Sequence, residues 1–274
     1  MKIYKLHFYI VFSLLLLLPA AVFSQEEDTI LLTINELEQT EPFYSLEEAL
    51  EKPTEVYRLD VSDWALTELP SSIGSLVNLQ VLIVHSNNLT TLPAEIGQLS
   101  KLQILDASNN RLTTLPVEIG KLKNLEQLIL YNNSIATLPP QMAKLTKLTT
   151  LNLNHNLLKE LPKEFSTITN LEVLNLGANP TLKILETIKV VSGIKMLKDL
   201  DLSENNISQV PNEIGNISNL YFLHLQGNKL TLLPETLSNL KKLRYVDMRL
   251  MVISSPDKLK FSKMLPNTFI VFDN

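Results

Sequence analysis

Not one of the 274 residues is cysteine, which excludes disulfides, thiolate nucleophiles, thiolate metal ligands and a lipid-modified cysteine. A chain without disulfides must take its stability from packing alone. Glycine is scarce, at seven, and nowhere forms a G-x-G-x-x-G or Walker-type loop, so the usual backbone cradle for a nucleotide phosphate is missing. Basic residues are outnumbered, 24 to 29, and form no cluster. Nucleic acid is therefore a poor partner, because its binding depends on Lys and Arg displacing counterions. Aromatic residues are only 6% of the chain, while apolar residues as a whole reach 45%. Much of that content is Leu and Ile, the composition of a core built from one repeated aliphatic layer.

The first residues read as an export signal. Lys2 and Lys5 precede an apolar run from Phe8 to Leu18, and small or neutral residues lead to Ser24-Gln25 before an acidic start at Glu26, Glu27 and Asp28. The spacing predicts cleavage after Ser24. The apolar run is shorter than the roughly 20 residues of a spanning helix, so no membrane span is expected once it is removed. Losing residues 1–24 removes two lysines and no acid, leaving 22 basic against 29 acidic residues, a balance of −7.

Beyond this segment the chain repeats. The unit LQILDASNNRLTTLPVEIGKLKN runs from Leu102 to Asn124, and the next begins at Leu125, 23 residues on. Unit starts run from Val56 to Leu243 in steps of 23, broken only between Leu171 and Leu197, where the step is 26. The shared pattern is L-x-x-L-x-L-x-x-N-x-L-x-x-L-P-x-x-I-G-x-L-x-x. Its first half alternates as a strand does, with leucines to one side. Asn87, Asn110, Asn133, Asn156, Asn179, Asn205 and Asn228 share one phase, where a buried amide needs donors and acceptors from turn backbone. Seven prolines, from Pro70 to Pro234, share another, suited to a fixed φ away from sheet hydrogen bonds. Gly74, Gly97, Gly120 and Gly215 share a third, read as a tight bend or positive φ.

This pattern resembles the leucine-rich-repeat family from Val56 to the C-terminus, in the variant with Leu-Pro and Ile-Gly that is similar to Ras-binding and Scribble-type scaffolds and to bacterial secreted repeat proteins. The resemblance implies an α/β fold: a right-handed horseshoe solenoid with a parallel concave sheet, a convex side of turns and short 3-10 or helical segments, and a cap at each end. It also implies that the phased asparagines form a structural ladder.

The expected organisation is a signal peptide (1–24), an acidic linker with an N-terminal cap helix (25–55), eight repeats (56–242) of which that from Leu171 is irregular, and a last repeat with its cap (243–274). Ser45-Leu46-Glu47-Glu48 reads as a capping box opening a helix over Leu46–Lys52, stopped by Pro53, whose Leu46, Ala49 and Leu50 cover the first strand. Trp64 replaces the phased Asn in the first unit and Met251 in the last. Thr181–Val191 carries the three-residue insertion, read as a longer convex segment. Phe269–Phe272 is an apolar run able to finish the sheet edge.

If the leucines point inward, the third, fifth and seventh residues of each unit set the opposite face. Val81, Ile83, Ile104 and Ile129 should form an outward apolar patch with His85 and Tyr131 beside it, and Phe222, His224, Tyr245 and Arg249 a second cluster of types that anchor interfaces. Three histidines invite a metal site. His85, His155 and His224 belong to units three apart, however, or about 14 Å at the usual strand spacing, and one metal cannot join them. Asp60, Asp106, Asp201 and Asp247 form an acidic column interrupted by Ile83 and Ile129, expected to be a solvated face. No cofactor, metal or catalytic set is nominated. The expectation is a secreted binding module that presents a rigid concave surface to a protein or peptide. The alternatives are an envelope structural or adhesion component, and an effector whose enzymatic residues carry no motif.

Overall fold

The computed structural model describes residues 31–273. The signal-peptide reading of residues 1–24 lies outside them. One sheet of ten parallel strands runs through the repeats: β1 (Arg58–Asp60), β2 (Val81–Ile83), β3 (Ile104–Asp106), β4 (Gln127–Ile129), β5 (Thr150–Asn152), β6 (Val173–Asn175), β7 (Asp199–Asp201), β8 (Phe222–His224), β9 (Tyr245–Asp247) and β10 (Phe269–Val271). Each strand pairs only with its sequence neighbours. Register matches repeat phase throughout, so Leu59, Leu82, Leu105 and Leu128 sit side by side. The architecture is a stack of units, each of which buries its leucines against the next, in one contiguous aliphatic core.

The strands are three residues long because each ends in a fixed turn. The fifth residue of most units is Asp or Asn, and its side chain accepts the backbone N–H two residues on: Asp60 from Ser62, Asp106 from Ser108, Asn152 from Asn154 and Asp201 from Ser203. The eighth residue then takes positive φ in all nine repeats, from Asp63 and Ser86 through His155 and Ala178 to Gly227 and Leu250. The ninth is the phased asparagine. Asn156 illustrates its bonding: Nδ2 donates to the carbonyls of Leu130, Leu153 and Asn154, and Oδ1 accepts the N–H of Ile135, 2.9 Å away in the preceding unit. The ladder ties each turn to its neighbour through otherwise orphaned backbone groups.

The return half of a unit is a five-residue 3-10 helix, from Ser71–Ser75 in the first repeat to Glu235–Asn239 in the eighth. Proline stands at the cap, where its φ near −65° needs no adjustment: Pro93 has φ −68°. The buried Ile two residues into the helix donates back to the proline carbonyl, as Ile96 does to Pro93 at 3.1 Å. The phased glycines sit in these helices with ordinary negative φ, which corrects the positive-φ reading. Their requirement is close approach, since a Cβ on Gly97 would lie 2.7 Å from the carbonyl oxygen of Glu118 in the next unit. The irregular unit replaces its 3-10 turn with helix α3 (Ile184–Val191), which buries Thr187, Ile188 and Val191.

Both ends are covered. Ahead of the sheet lie α1 (Ile34–Gln39) and α2 (Leu46–Glu51). Helix α2 ends one residue earlier than the sequence reading. Ser45 Oγ accepts the Glu48 N–H, but the return bond that would complete a capping box is not among its contacts. The full box belongs to α1, where Thr33 and Glu36 cap each other reciprocally, a pairing the sequence reading did not single out. Ala49 joins the core, with Leu46 and Leu50 packed against it. Phe43 adds a one-residue parallel bridge to β1: its N–H donates to the Arg58 carbonyl and its own carbonyl accepts from Asp60. At the far end α4 (Ser255–Met264), also absent from the sequence reading, drives Phe261 into the core, and β10 closes the ladder against β9.

Candidate interaction face

The face of the sheet away from the core carries the third, fifth and seventh residues. Its two halves differ.

Near the N-terminus the expected apolar patch is partly covered by the chain itself. Ile83, Ile104 and Ile129 are half-buried, but Val81 is only 5% exposed. The segment ahead of the cap crosses this end of the face. The Leu32 N–H donates to Gln80 Oε1, and the Leu32 carbonyl accepts from Gln103 Nε2, both at 2.8 Å. Arg58 Nη1 donates to the carbonyls of Leu37 and Thr40, which close the C-terminal end of α1. Val81, paired in register with Arg58, lies beside this intramolecular contact. Sequence reading missed it because it rests on the second residue of two units, a position outside the alternation. His85 touches the hydroxyl of Ser86, and Tyr131, exposed, meets His155 edge-on with ring centroids 5.1 Å apart.

The C-terminal half is open and more chemically varied. Strand register lines up Phe222, Tyr245 and Phe269 across β8, β9 and β10, with successive centroids 6.4 and 6.2 Å apart. Phe222 is 42% exposed and Phe269 is 69%. Phe269 entered the sequence reading only as part of an edge; pairing of β10 in phase makes it the third ring of the column. His224 packs its ring 5.5 Å from that of Tyr245 and places Nε2 3.3 Å from Asp199 Oδ1. Burial pulls the imidazole pKa down, yet the contact with Asp199 and the charges of Asp201 and Asp247 outweigh it, leaving His224 above its ordinary value. Asp199 Oδ1 is buried and accepts no well-aligned hydrogen bond among the described residues, as is also true of Gln226 Oε1.

The carboxylates of the acidic column are engaged. Arg249 holds Asp247 through Nε and Nη2, the latter at 2.5 Å from Oδ2, and the Tyr245 hydroxyl donates to the same carboxylate. Burial would raise the Asp247 pKa, but these donors keep it below the ordinary range. Asp201 accepts from Asn154 at 2.7 Å across Gly177, where a side chain would collide with Ser203 Oγ. The column is thus largely a set of strand-end turns, while Asp199, outside it and beside the aromatic rings, faces His224.

A parallel-strand solenoid with an aliphatic interior and a residue-diverse open face is, by class, a repeat scaffold. Leucine-rich-repeat profiles match residues 54–112 and 123–180, a two-copy profile matches 100–141, and a single-repeat profile matches 196–217 and 219–240. The chain belongs to the leucine-rich-repeat family. No curated protein matches it. Among solved structures it is similar to the ectodomain of the plant membrane receptor kinase GASSHO1/SCHENGEN3 from Arabidopsis thaliana in complex with Casparian strip integrity factor 2, with TM-score 0.62 and 33% identity over 75% of this chain and 25% of that one. It is also similar to the functional domain of InlJ from Listeria monocytogenes, with TM-score 0.57 and 27% identity over 78% and 48%. Drosophila Toll, solved with Spatzle, shares the fold at TM-score 0.67 and 23% identity over 82% and 32%. The chain spans between a quarter and a half of these solved chains. No helix among the described residues is long and apolar enough to cross a membrane.

Proposed function

We propose that this protein is an exported binding module that engages a protein or peptide through the open face of its sheet, with the ring column of Phe222, Tyr245 and Phe269 as the anchor. The observation that carries this reading is the pair of exposed rings, Phe222 and Phe269, held in register on either side of Tyr245. Aromatic side chains on a preorganised surface bury large area at small entropic cost. Arg249 and His224 frame the same surface. His85, Ile83, Ile104, Ile129 and Tyr131 form the second, N-terminal contribution, and Val81 joins them only when the covering segment moves. Export is supported by the basic, apolar and small-residue succession of residues 1–24. Repeat ectodomains solved with bound factors, such as the Arabidopsis receptor, set the precedent for a ligand on this kind of scaffold.

The test is affinity capture with the exported chain as bait against extracellular and envelope proteins, with the double variant Phe222→Ala, Phe269→Ala as the control and circular dichroism to confirm its fold. Both rings are substantially exposed, so the variant should fold. A partner held by the wild type and weakened at least tenfold in the variant supports the reading. Equal retention by both removes the anchor from this column.

A further inference from the structure

The covering segment on the N-terminal end of the face is bound as a peptide ligand is bound. Gln80 and Gln103, the second residues of two adjacent units, are 0% and 3% exposed, and their side chains hydrogen-bond each other at 2.7 Å. Between them they take the N–H and the C=O of one residue, Leu32. Such a pair reads extended backbone irrespective of side chain. Five residues on, Leu37 is 2% exposed yet is not among the residues of the main core. It is buried where Arg58 grips its carbonyl. The footprint shows in the comparison between units. The corresponding second-position residues Glu126, Thr149, Glu172 and Lys198 are half-exposed, and so are the third-position residues Ile104, Gln127 and Thr150 beside the buried Val81.

We infer that Gln80, Gln103 and Arg58 form a peptide-binding site occupied in cis by Leu31–Thr40, and that the same site takes a peptide in trans, one whose extended backbone is clamped at one residue and which then turns through a short helix carrying an apolar side chain five positions later. The solenoid core does not depend on the segment, because Leu37 lies outside it and the cap of the first repeat is supplied by α2 and Phe43. The site is separate from the Phe222–Phe269 column, so either can fail without the other. A tethered segment faces its site at an effective concentration of order millimolar, which a free peptide at micromolar concentration cannot match. Trans binding therefore appears only when the cis segment is weakened within itself.

The experiment titrates a fluorescein-labelled synthetic peptide of residues 31–43 into three full-length chains, followed by anisotropy: wild type, Leu37→Asp, and Leu37→Asp combined with Gln80→Ala and Gln103→Ala. Expected is binding to Leu37→Asp at least tenfold tighter than to wild type, lost again at least tenfold when the glutamines are removed. No binding to Leu37→Asp, equal binding to wild type and Leu37→Asp, or binding indifferent to the glutamines overturns the proposal. Because the glutamine variant also bears on folding, amide exchange is read on Gln80→Ala, Gln103→Ala alone in the full chain. Exchange across residues 31–40 should rise at least tenfold with the repeats unchanged. Unchanged protection of that segment overturns the clamp, and with it the site.

Discussion

Replacing Asn156 with alanine isolates what the ladder contributes. The side chain is 3% exposed. Its loss leaves the Ile135 N–H with no acceptor among the described residues, where Asn156 Oδ1 is its one partner. The Leu130 and Leu153 carbonyls each lose one of two donors, because Asn133 and Asn179 still reach them. One buried orphan costs about 1–3 kcal/mol and each lost bond to a still-partnered carbonyl about 0.5–1 kcal/mol, so the substitution should cost about 3 kcal/mol. Asn133 makes the same set of bonds one unit away but is itself only half-buried, so its truncation should open the groups it abandons to water. Asn133→Ala should therefore cost about 1 kcal/mol. Urea denaturation followed by far-ultraviolet circular dichroism measures both, provided the m-value is unchanged. If the two variants lose the same stability, or Asn156→Ala loses under about 1 kcal/mol, the buried-ladder account is refuted.

Four further outcomes follow from the geometry. Gly97→Ala should cost about 1–3 kcal/mol, because its Cβ meets fixed backbone at Glu118 where neither unit can retreat; the same denaturation assay reads it. Leu250→Gly should add up to about 1 kcal/mol, since Leu250 is 68% exposed and held at φ 57°. His224 should titrate above its ordinary value in a proton NMR titration, and Asp199→Asn should lower it, as burial then acts with less opposition. A folded pKa above the unfolded one means that the stability from this contact is fully present below pH 6.5 and is lost as pH rises through the raised value. A wild type no more stable at pH 6 than the Asp199→Asn chain, relative to pH 8, would count against that contact.

The repeat determined most of what is local. A 23-residue period with aliphatic residues at fixed phases has one way to bury them, and so strand phase, ladder asparagines, proline-capped returns and the inward leucines followed from the sequence of residues itself. The face residues followed too, because alternation assigns each side chain to one side of a strand. What the period could not carry was decided by contacts between segments far apart in the chain. Gly97 is glycine because of Glu118, 21 residues on, and not because of its own φ. Phe269 lies outside the repeat pattern and becomes a ring of the column only through the pairing of β10 with β9. Val81 reads as exposed from its phase but is buried, beside a segment held at Leu32 by two glutamines, one of them 71 residues away. Periodicity fixes which side of the sheet a residue occupies, but only packing in three dimensions decides what covers that side.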